Sequence, residues 1–301
     1  MDDEALFRER VSALKQDHLR GSSQLARQAL EDVATFVEQC EAEDVATLER
    51  RANALAEALQ VARPSMASVS SLVERWQQHL EHSEETSLLE FRKRLSAAAR
   101  DLIAASHAAV GTVAEEVAAL VPQGATLITL SRSSTLVAAL RRLVSRDVNV
   151  IVSESRPLLE GHLLAEELSR LGIQAQLITE AQLGLFAAQA DIALVGADAV
   201  LEDGSLVNKA GTYLMALAAQ EADVPFWVCC ESFKQSELGP DHFPLEEMEA
   251  EELGAPKLEH LRVRNVAFDV TPARLVTRWI DEFGSTLGGP RQKLGGPVLR
   301  A

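Results

Sequence analysis

Apolar positions follow two different rhythms along this chain. Up to about residue 120 they recur every three or four residues, the period of an amphipathic helix. Leu6, Val11 and Leu14 share one face of a first predicted helix. Gly21-Ser22-Ser23 interrupts it, and Ser23 stands where a cap for the next helix belongs. That second helix runs to about Cys40, and a third covers 45–59. Arg63-Pro64-Ser65 reads as a turn, followed by a helix through Trp76 to His82. A long Ala-rich helix fills 87–120. Ala, Leu, Glu, Gln and Arg dominate this half, all of them good helix formers, and no segment in it reads as a strand.

The rhythm changes at Pro122-Gln123-Gly124. Short apolar runs at 125–130, 148–153, 174–179, 192–196 and 225–230, with a weaker one at 263–268, alternate with helical stretches at 135–145, 161–171, 181–189 and 211–221. Short buried strands alternating with crossover helices predict a parallel sheet covered on both faces, joined by right-handed connections. The expected fold class is therefore α/β, with an all-helical domain over 1–121 and a sheet domain over 122–287. The Gly- and Pro-containing stretch 288–301 reads as a flexible tail or partner-reaching arm. In parallel α/β sheets ligands sit beyond the carboxyl ends of the strands, and that rule directs the search for chemistry.

Composition narrows the partners. The chain has 301 residues and is 47% apolar, which fits a globular protein, and no apolar run approaches the ~20 residues of a membrane span. Acidic residues number 45 against 29 basic ones, a net charge of −16. That balance argues against direct nucleic-acid or anionic-membrane binding, since both reward surplus Lys and Arg. A phosphorylated small molecule needs only a few local donors and stays in play. The start, Met1-Asp2-Asp3-Glu4, is acidic where a signal peptide is basic, so a cytoplasmic location is expected. Three cysteines (Cys40, Cys229 and Cys230) suit a reducing compartment. No CxxC pair or HExxH stretch occurs, and only His79 and His82 sit one helical turn apart, so no metal is expected. GxGxxG, GxxxxGK[ST] and GxSxG are also absent, and no cofactor is implied.

Four strand ends carry polar residues of interest. After the first strand, Ser131-Arg132-Ser133-Ser134-Thr135 enters a helix and forms either an anion site or an ordinary helix cap. After the second, Arg156 suits a phosphate clamp or a partner for Glu154 or Glu160. After the fourth, Asp198 directly follows a buried strand, which is costly unless it is hydrogen-bonded or functional. Asn208-Lys209 then leads toward a helix, where a cation works against the macrodipole unless an anionic ligand faces it. After the fifth, Lys234 is a further phosphate contact, while Cys229 and Cys230 alternate faces and read as core.

Taken together these stretches resemble one known family. Val152-Ser153-Glu154-Ser155-Arg156-Pro157 with Gly161, and Val195-Gly196-Ala197-Asp198 with Asp203-Gly204, carry the likeness. So do Asn208-Lys209-Ala210-Gly211-Thr212, Val224-Pro225-Phe226, and Glu231-Ser232 with Lys234. They are similar to the alpha, beta and delta regulatory subunits of initiation factor 2B and their isomerase relatives. Those relatives are ribose-1,5-bisphosphate isomerase and methylthioribose-1-phosphate isomerase. Phe268-Asp269-Val270-Thr271-Pro272 resembles the family's C-terminal motif, and Asp17 with Gly21-Ser22 and Arg63-Pro64-Ser65-Met66 its N-terminal signatures.

The resemblance implies a helical N-terminal domain, a Rossmann-like C-terminal domain, and homodimers or homohexamers. It also implies a pocket between the domains for sugar or nucleotide phosphates. Arg156, Asn208 and Lys209 match ligand-binding positions of the isomerases, and Asp198 matches their catalytic aspartate. Arg132, Ser133 and Lys234 join them as candidate phosphate contacts. One departure matters: Ser131 stands where the isomerases place a catalytic cysteine. A thiol titrates near ~8.5 and exchanges protons around neutrality, whereas an unassisted serine does not. The expectation is a regulatory-subunit-like protein that binds a sugar phosphate or nucleoside monophosphate without thiol chemistry. The alternative is an aldose–ketose isomerase of a phosphorylated pentose using Asp198 and Ser131.

Overall fold

Helices α1 (Asp3–Gln16), α2 (Ser22–Gln39), α3 (Val45–Gln60), α4 (Ala67–Gln77) and α5 (Leu88–Leu120) build the first part of the molecule. The computed structural model describes residues 3–17, 20–81 and 87–291, so His18, His82 and tail residues 292–301 lie outside the described residues. Leu25, Ala29, Leu30, Val33, Phe36 and Val37 form the buried stripe of α2 at the spacing that helical periodicity requires. The N-cap of α2 is Gly21; Ser23 does not cap but sits one residue inside the helix. Asp44 caps α3 by accepting from the Thr47 amide at 2.7 Å, and Ser87 with Glu90 closes a capping box on α5. The Nε1 of buried Trp76 donates to the Leu95 carbonyl (2.9 Å), joining α4 to α5.

Seven strands form the main sheet in the order β10-β9-β7-β4-β1-β2-β3. They are β1 (Thr126–Leu130), β2 (Asn149–Ser153), β3 (Gln174–Ile178), β4 (Ile192–Val195), β7 (Phe226–Cys229), β9 (Arg278–Asp281) and β10 (Gly284–Thr286). All neighbours are parallel except the β9–β10 hairpin. Helices α6 (Ser134–Arg142), α7 (Glu160–Leu171), α8 (Leu183–Phe186) and α9 (Thr212–Glu221) lie between the strands in sequence. The expected helix over 181–189 is one short helix flanked by 3₁₀ turns. The C-terminal half of α5 packs Val113, Ala114 and Val117 onto this sheet with α6, so the long helix serves both cores. The tail's first residues fold back: Arg291 Nε meets Asp281 Oδ2 at 3.2 Å.

A second sheet of three antiparallel strands, β5 (Ala199–Val200), β6 (Leu206–Lys209) and β8 (Phe268–Thr271), is not apparent in the alternating pattern. It corrects two expectations. Lys209 ends a strand rather than starting a helix, because α9 begins three residues later at Thr212. The weak strand expected at 263–268 instead begins at Phe268 and runs to Thr271, its hydrogen-bond partner β6 lying some sixty residues upstream. Ala199, Val207 and Phe268 join the helical core, so this small sheet mortises the two parts together.

Strand order reverses between β1 and β4, with β2 and β3 on one side and β7 and β9 on the other. Such a switch point leaves a crevice at the carboxyl ends of the two central strands.

Candidate functional site

The crevice at that switch point is a cleft of about 940 Å³, counting its part open to solvent. Its walls come from the end of β1 and the turn that follows, from residues 196–198 after β4, from Asn208 and Lys209 at the end of β6, and from residues 20–22, 63 and 66 of the helical part. The chain reaches it through unusual backbone. Ser131, just after β1, has φ 60°, and Ser155, just after β2, has φ 61°. Left-handed conformations are costly for residues with a Cβ and tend to cluster at functional sites. Both are held: the Ser131 amide donates to Ser155 Oγ (2.7 Å), and the Ser155 amide donates to Glu180 Oε1 (2.7 Å). Gly161 lets α7 approach this turn, since a Cβ there would fall 1.9 Å from the Ser153 carbonyl oxygen. At Gly196 a Cβ would fall 2.6 Å from Ser133 Oγ.

Two helix N-termini meet at the cleft. Gly21 caps α2 and Ser133 caps α6, and a Cβ on Gly21 would lie 3.9 Å from the Ser134 nitrogen. The free amides of both first turns therefore present partial positive charge to one place. A single buried carboxylate bonds the first turns of both helices. Ser23 Oγ, from the second residue of α2, donates to Glu231 Oε1 at 2.6 Å. Thr135 Oγ1, from the second residue of α6, donates to Glu231 Oε2 at 3.0 Å. Lys234 Nζ stands 3.3 Å from the same oxygen and donates to the Ala197 carbonyl at 2.7 Å. Burial alone would raise the Glu231 carboxyl; the Lys234 ammonium and the two hydroxyls outweigh it and hold it below its ordinary value. Burial would lower Lys234, but Glu231 and Asp198 hold it above the usual lysine value.

Asp198 is part-buried on the cleft wall. Its amide donates to the Val207 carbonyl (2.9 Å), and its own carbonyl accepts from the Ala67 amide (3.1 Å) at the start of α4. Burial pushes its carboxyl up, against the pull of Lys234, the Ser22 hydroxyl and Lys209, and nearby Glu160 adds to the rise. A carboxyl so placed suits proton transfer nearer neutrality than a solvated aspartate. Asn208 Nδ2 donates to Thr212 Oγ1 (3.0 Å), whose hydroxyl donates to the Lys209 carbonyl (2.6 Å). Asp269, opposite Asn208 in the β6–β8 register, accepts from the Gly211 amide (2.7 Å) and the Tyr213 amide (3.1 Å) at the start of α9. Burial pushes that carboxyl up to about 6 despite these amides.

Ser131, Arg132, Ser133, Asp198, Asn208, Lys209 and Lys234 all line the cleft. They are not equally available. Lys234 is fully buried between Glu231 and the Ala197 carbonyl. Arg132 turns toward Glu167 (3.2 Å), which Arg141 also binds. Arg156 is exposed and donates to the Leu253 carbonyl (3.2 Å), while its neighbours Pro157 and Leu158 face the cleft. Ser131 Oγ donates to Glu160 Oε2 at 3.0 Å, and Lys209 Nζ lies 3.1 Å from the same oxygen. Neither cysteine serves as a substitute nucleophile: burial pushes Cys229 up to about 12 and Cys230 well up too.

Several lining residues escaped the sequence reading as site residues. Arg20, Gly21, Ser22 and Arg63 come from the helical half. Arg63 is buried and bonds Glu246 (3.1 Å) and the Asp17 carbonyl. The signal for them was the Gly-Ser pair opening α2, a helix start with no hydrophobic staple to explain it. Asn265, buried beside Glu252 (2.9 Å), lies in irregular chain and gave no signal.

The sequence model of the initiation factor 2 subunit family (IF-2B) matches residues 18–287. The chain belongs to this family. An IF-2B relative from Pyrococcus abyssi, named as eIF-2B subunit 2-like, is 37% identical over 279 residues, spanning 91% of this chain and 94% of the relative. The ribose 1,5-bisphosphate isomerase of Archaeoglobus fulgidus is 31% identical over 283 residues, 92% and 88% of the two chains. The crystal structure of the Pyrococcus horikoshii OT3 translation initiation factor eIF-2B matches the fold with a TM-score of 0.82 at 34% identity. That match covers 93% of this chain and 96% of the other. The helical part followed by the parallel-dominated sheet is thus the IF-2B architecture, and the family places this chain among both factor-like and isomerase relatives. Among the described residues no helix is long and apolar enough to cross a membrane.

Proposed function

We propose that this chain binds a sugar phosphate or nucleoside monophosphate in the cleft between its helical and sheet domains, as a regulatory-subunit-like member of its family. The observation that carries this reading is the meeting of the α2 and α6 N-termini beside Lys209 and Asn208. Oriented amides and one ammonium are the standard recognition kit for a phosphate group. Ser131 at the cleft supports binding without thiol chemistry. The acidic exterior suits a soluble ligand in the cytoplasm, and the expected assembly is a homodimer or homohexamer.

A second reading has its own support. Asp198 is a cleft carboxyl raised by burial, the kind of group an aldose–ketose isomerisation uses to pass a proton at substrate oxygen. Relatives named as isomerases lend it weight. Titration calorimetry of the purified chain with ribose 5-phosphate and adenosine monophosphate tests the first reading; micromolar binding that Lys209→Met weakens at least tenfold is expected. Absence of heat with either ligand, and with ribose 1,5-bisphosphate, removes it. Ketose formation from ribose 1,5-bisphosphate, followed by NMR and abolished by Asp198→Asn, would establish the second.

A further inference from the structure

Among the described residues five cationic side chains line the cleft: Arg20, Arg63, Arg132, Lys209 and Lys234. The partners of three are set back from it, for Glu246, Glu167 and Glu231 are not lining residues. Arg20 is likewise bonded to Asp17 (2.5 Å) and Gln28 (2.7 Å), outside the cleft. Lys209 differs. Its partner Glu160 is itself a lining residue, and both side chains stay partly open, at 12% and 19%.

The pair is unequally anchored. Lys209 is set by strand β6, opposite Phe268 in the β6–β8 register, with its ammonium 5.4 Å from the Phe268 ring centre. Glu160 opens helix α7, where a carboxylate is favoured by the helix's free amides whether or not it keeps a cation. Glu160 can thus leave Lys209 without being stranded, whereas Lys209 cannot leave the cleft. The Glu160 oxygen that meets Lys209 also accepts from the Ser131 hydroxyl, which itself faces the cleft.

We infer that Glu160 holds, in the unliganded protein, the place that a ligand phosphate takes on Lys209, so that binding exchanges one anion for another. The inference rests on the phosphate-binding reading and adds a selection rule to it. A ligand must out-compete a resident carboxylate, so the site favours terminal phosphomonoesters, which carry about −1.5 to −2 near neutrality, over singly charged carboxylates and phosphodiesters. Glu160 is a specificity-determining residue, not a ligand contact.

The test is calorimetry of the full chain with inorganic phosphate at low salt, for wild type, Glu160→Gln, Lys209→Met and the double variant. Glu160→Gln should tighten phosphate binding about tenfold, the scale of one close charge pair. In the Lys209→Met background the same change should alter affinity less than about twofold, because the exchange partner is gone. Glu252→Gln removes another cleft carboxylate, one bonded to Asn265 instead of a cleft cation, and should give under about a threefold gain. An equal gain from Glu252→Gln would mean a general field effect and would overturn the inference. Unchanged or weaker binding in Glu160→Gln, with wild type binding normally, also overturns it while leaving the phosphate reading intact. If no variant binds phosphate, both fall.

Discussion

Two lysine–glutamate pairs meet the same cleft, and they are built for opposite purposes. Lys234 and Glu231 are both buried, and the protein supplies their further partners: Ser23 and Thr135 for the carboxylate, the Ala197 carbonyl for the ammonium. Lys209 and Glu160 keep access to the cleft, and the carboxylate oxygen that Lys209 meets also accepts from the Ser131 hydroxyl. The difference teaches which charges in a cationic pocket do structural work and which are available to a ligand. Counting basic residues near a site does not separate the two; following each to its partner does.

The largest expected effect breaks the buried pair. Glu231→Ala strands the Lys234 ammonium in the core and frees two hydroxyls, and should cost about 3–5 kcal/mol of folding free energy. Glu160→Ala, losing an ion pair still open to water, should cost less than about 1 kcal/mol. Urea unfolding of both variants, read by tryptophan fluorescence, makes the comparison. Equal losses would mean that both pairs are structural.

A third carboxylate sharpens the role of the cation. Asp269 is only part-buried where Glu231 is fully buried, and it is met by backbone amides in place of an ammonium; burial pushes it up to about 6, while Glu231 lies below its ordinary value. The signs therefore oppose. Asp269 takes up a proton more readily folded than unfolded, so its contribution is fully present below about pH 4 and is lost as pH rises through 6. Glu231 behaves in reverse: its contribution is present above its unfolded value and fades in acid. Subtracting the stability–pH curve of Asp269→Asn from that of wild type should show a fall of about 2 kcal/mol between pH 4 and pH 7. A flat difference would show that the amides cancel the effect of burial on Asp269, and a rise with pH that they ionise it as Lys234 ionises Glu231.

How much of this was legible in the sequence follows from range of interaction. The helical half, the five central strands and the cysteines' burial are local signals, and each appears where periodicity puts it. Ser133 as a cap is equally local. The small sheet was not legible because β6 is four residues long and its partner β8 lies far along the chain. That pairing, in turn, is what moves Lys209 from a helix start to a strand end. Lys234 reads as a phosphate contact until Glu231 and the Ala197 carbonyl are seen to hold it; a buried lysine demands a partner, and the sequence does not say how deep it lies. Arg156 shows the converse: its motif context points to the cleft, while its guanidinium reaches the Leu253 carbonyl. Glu160 stood in view as a partner for Arg156, and its meeting with Ser131 and Lys209 gives it a different role.

The finest test concerns the two hydroxyls that Glu231 holds. Ser23 belongs to the helical half and Thr135 to the sheet half, and each bonds a different carboxylate oxygen. Removing either by Ser23→Ala or Thr135→Ala should cost about 1.5 kcal/mol, the range for a hydrogen bond to a charged acceptor. If Glu231 merely accepts two independent bonds, the double variant should cost the sum to within about 0.5 kcal/mol. A carboxylate that aligns both helix starts gives a different result. Losing one bond lets it shift toward the other, so the second loss hurts less and the pair couples by about 1 kcal/mol. Phosphate affinity separates these cases further. With alignment at stake, each single variant weakens binding severalfold even though neither hydroxyl touches the ligand, because the amides of α2 or α6 no longer converge. Independent bonds would lower stability alone and leave affinity unchanged, and the buried pair would then be a structural rivet with no bearing on its open counterpart.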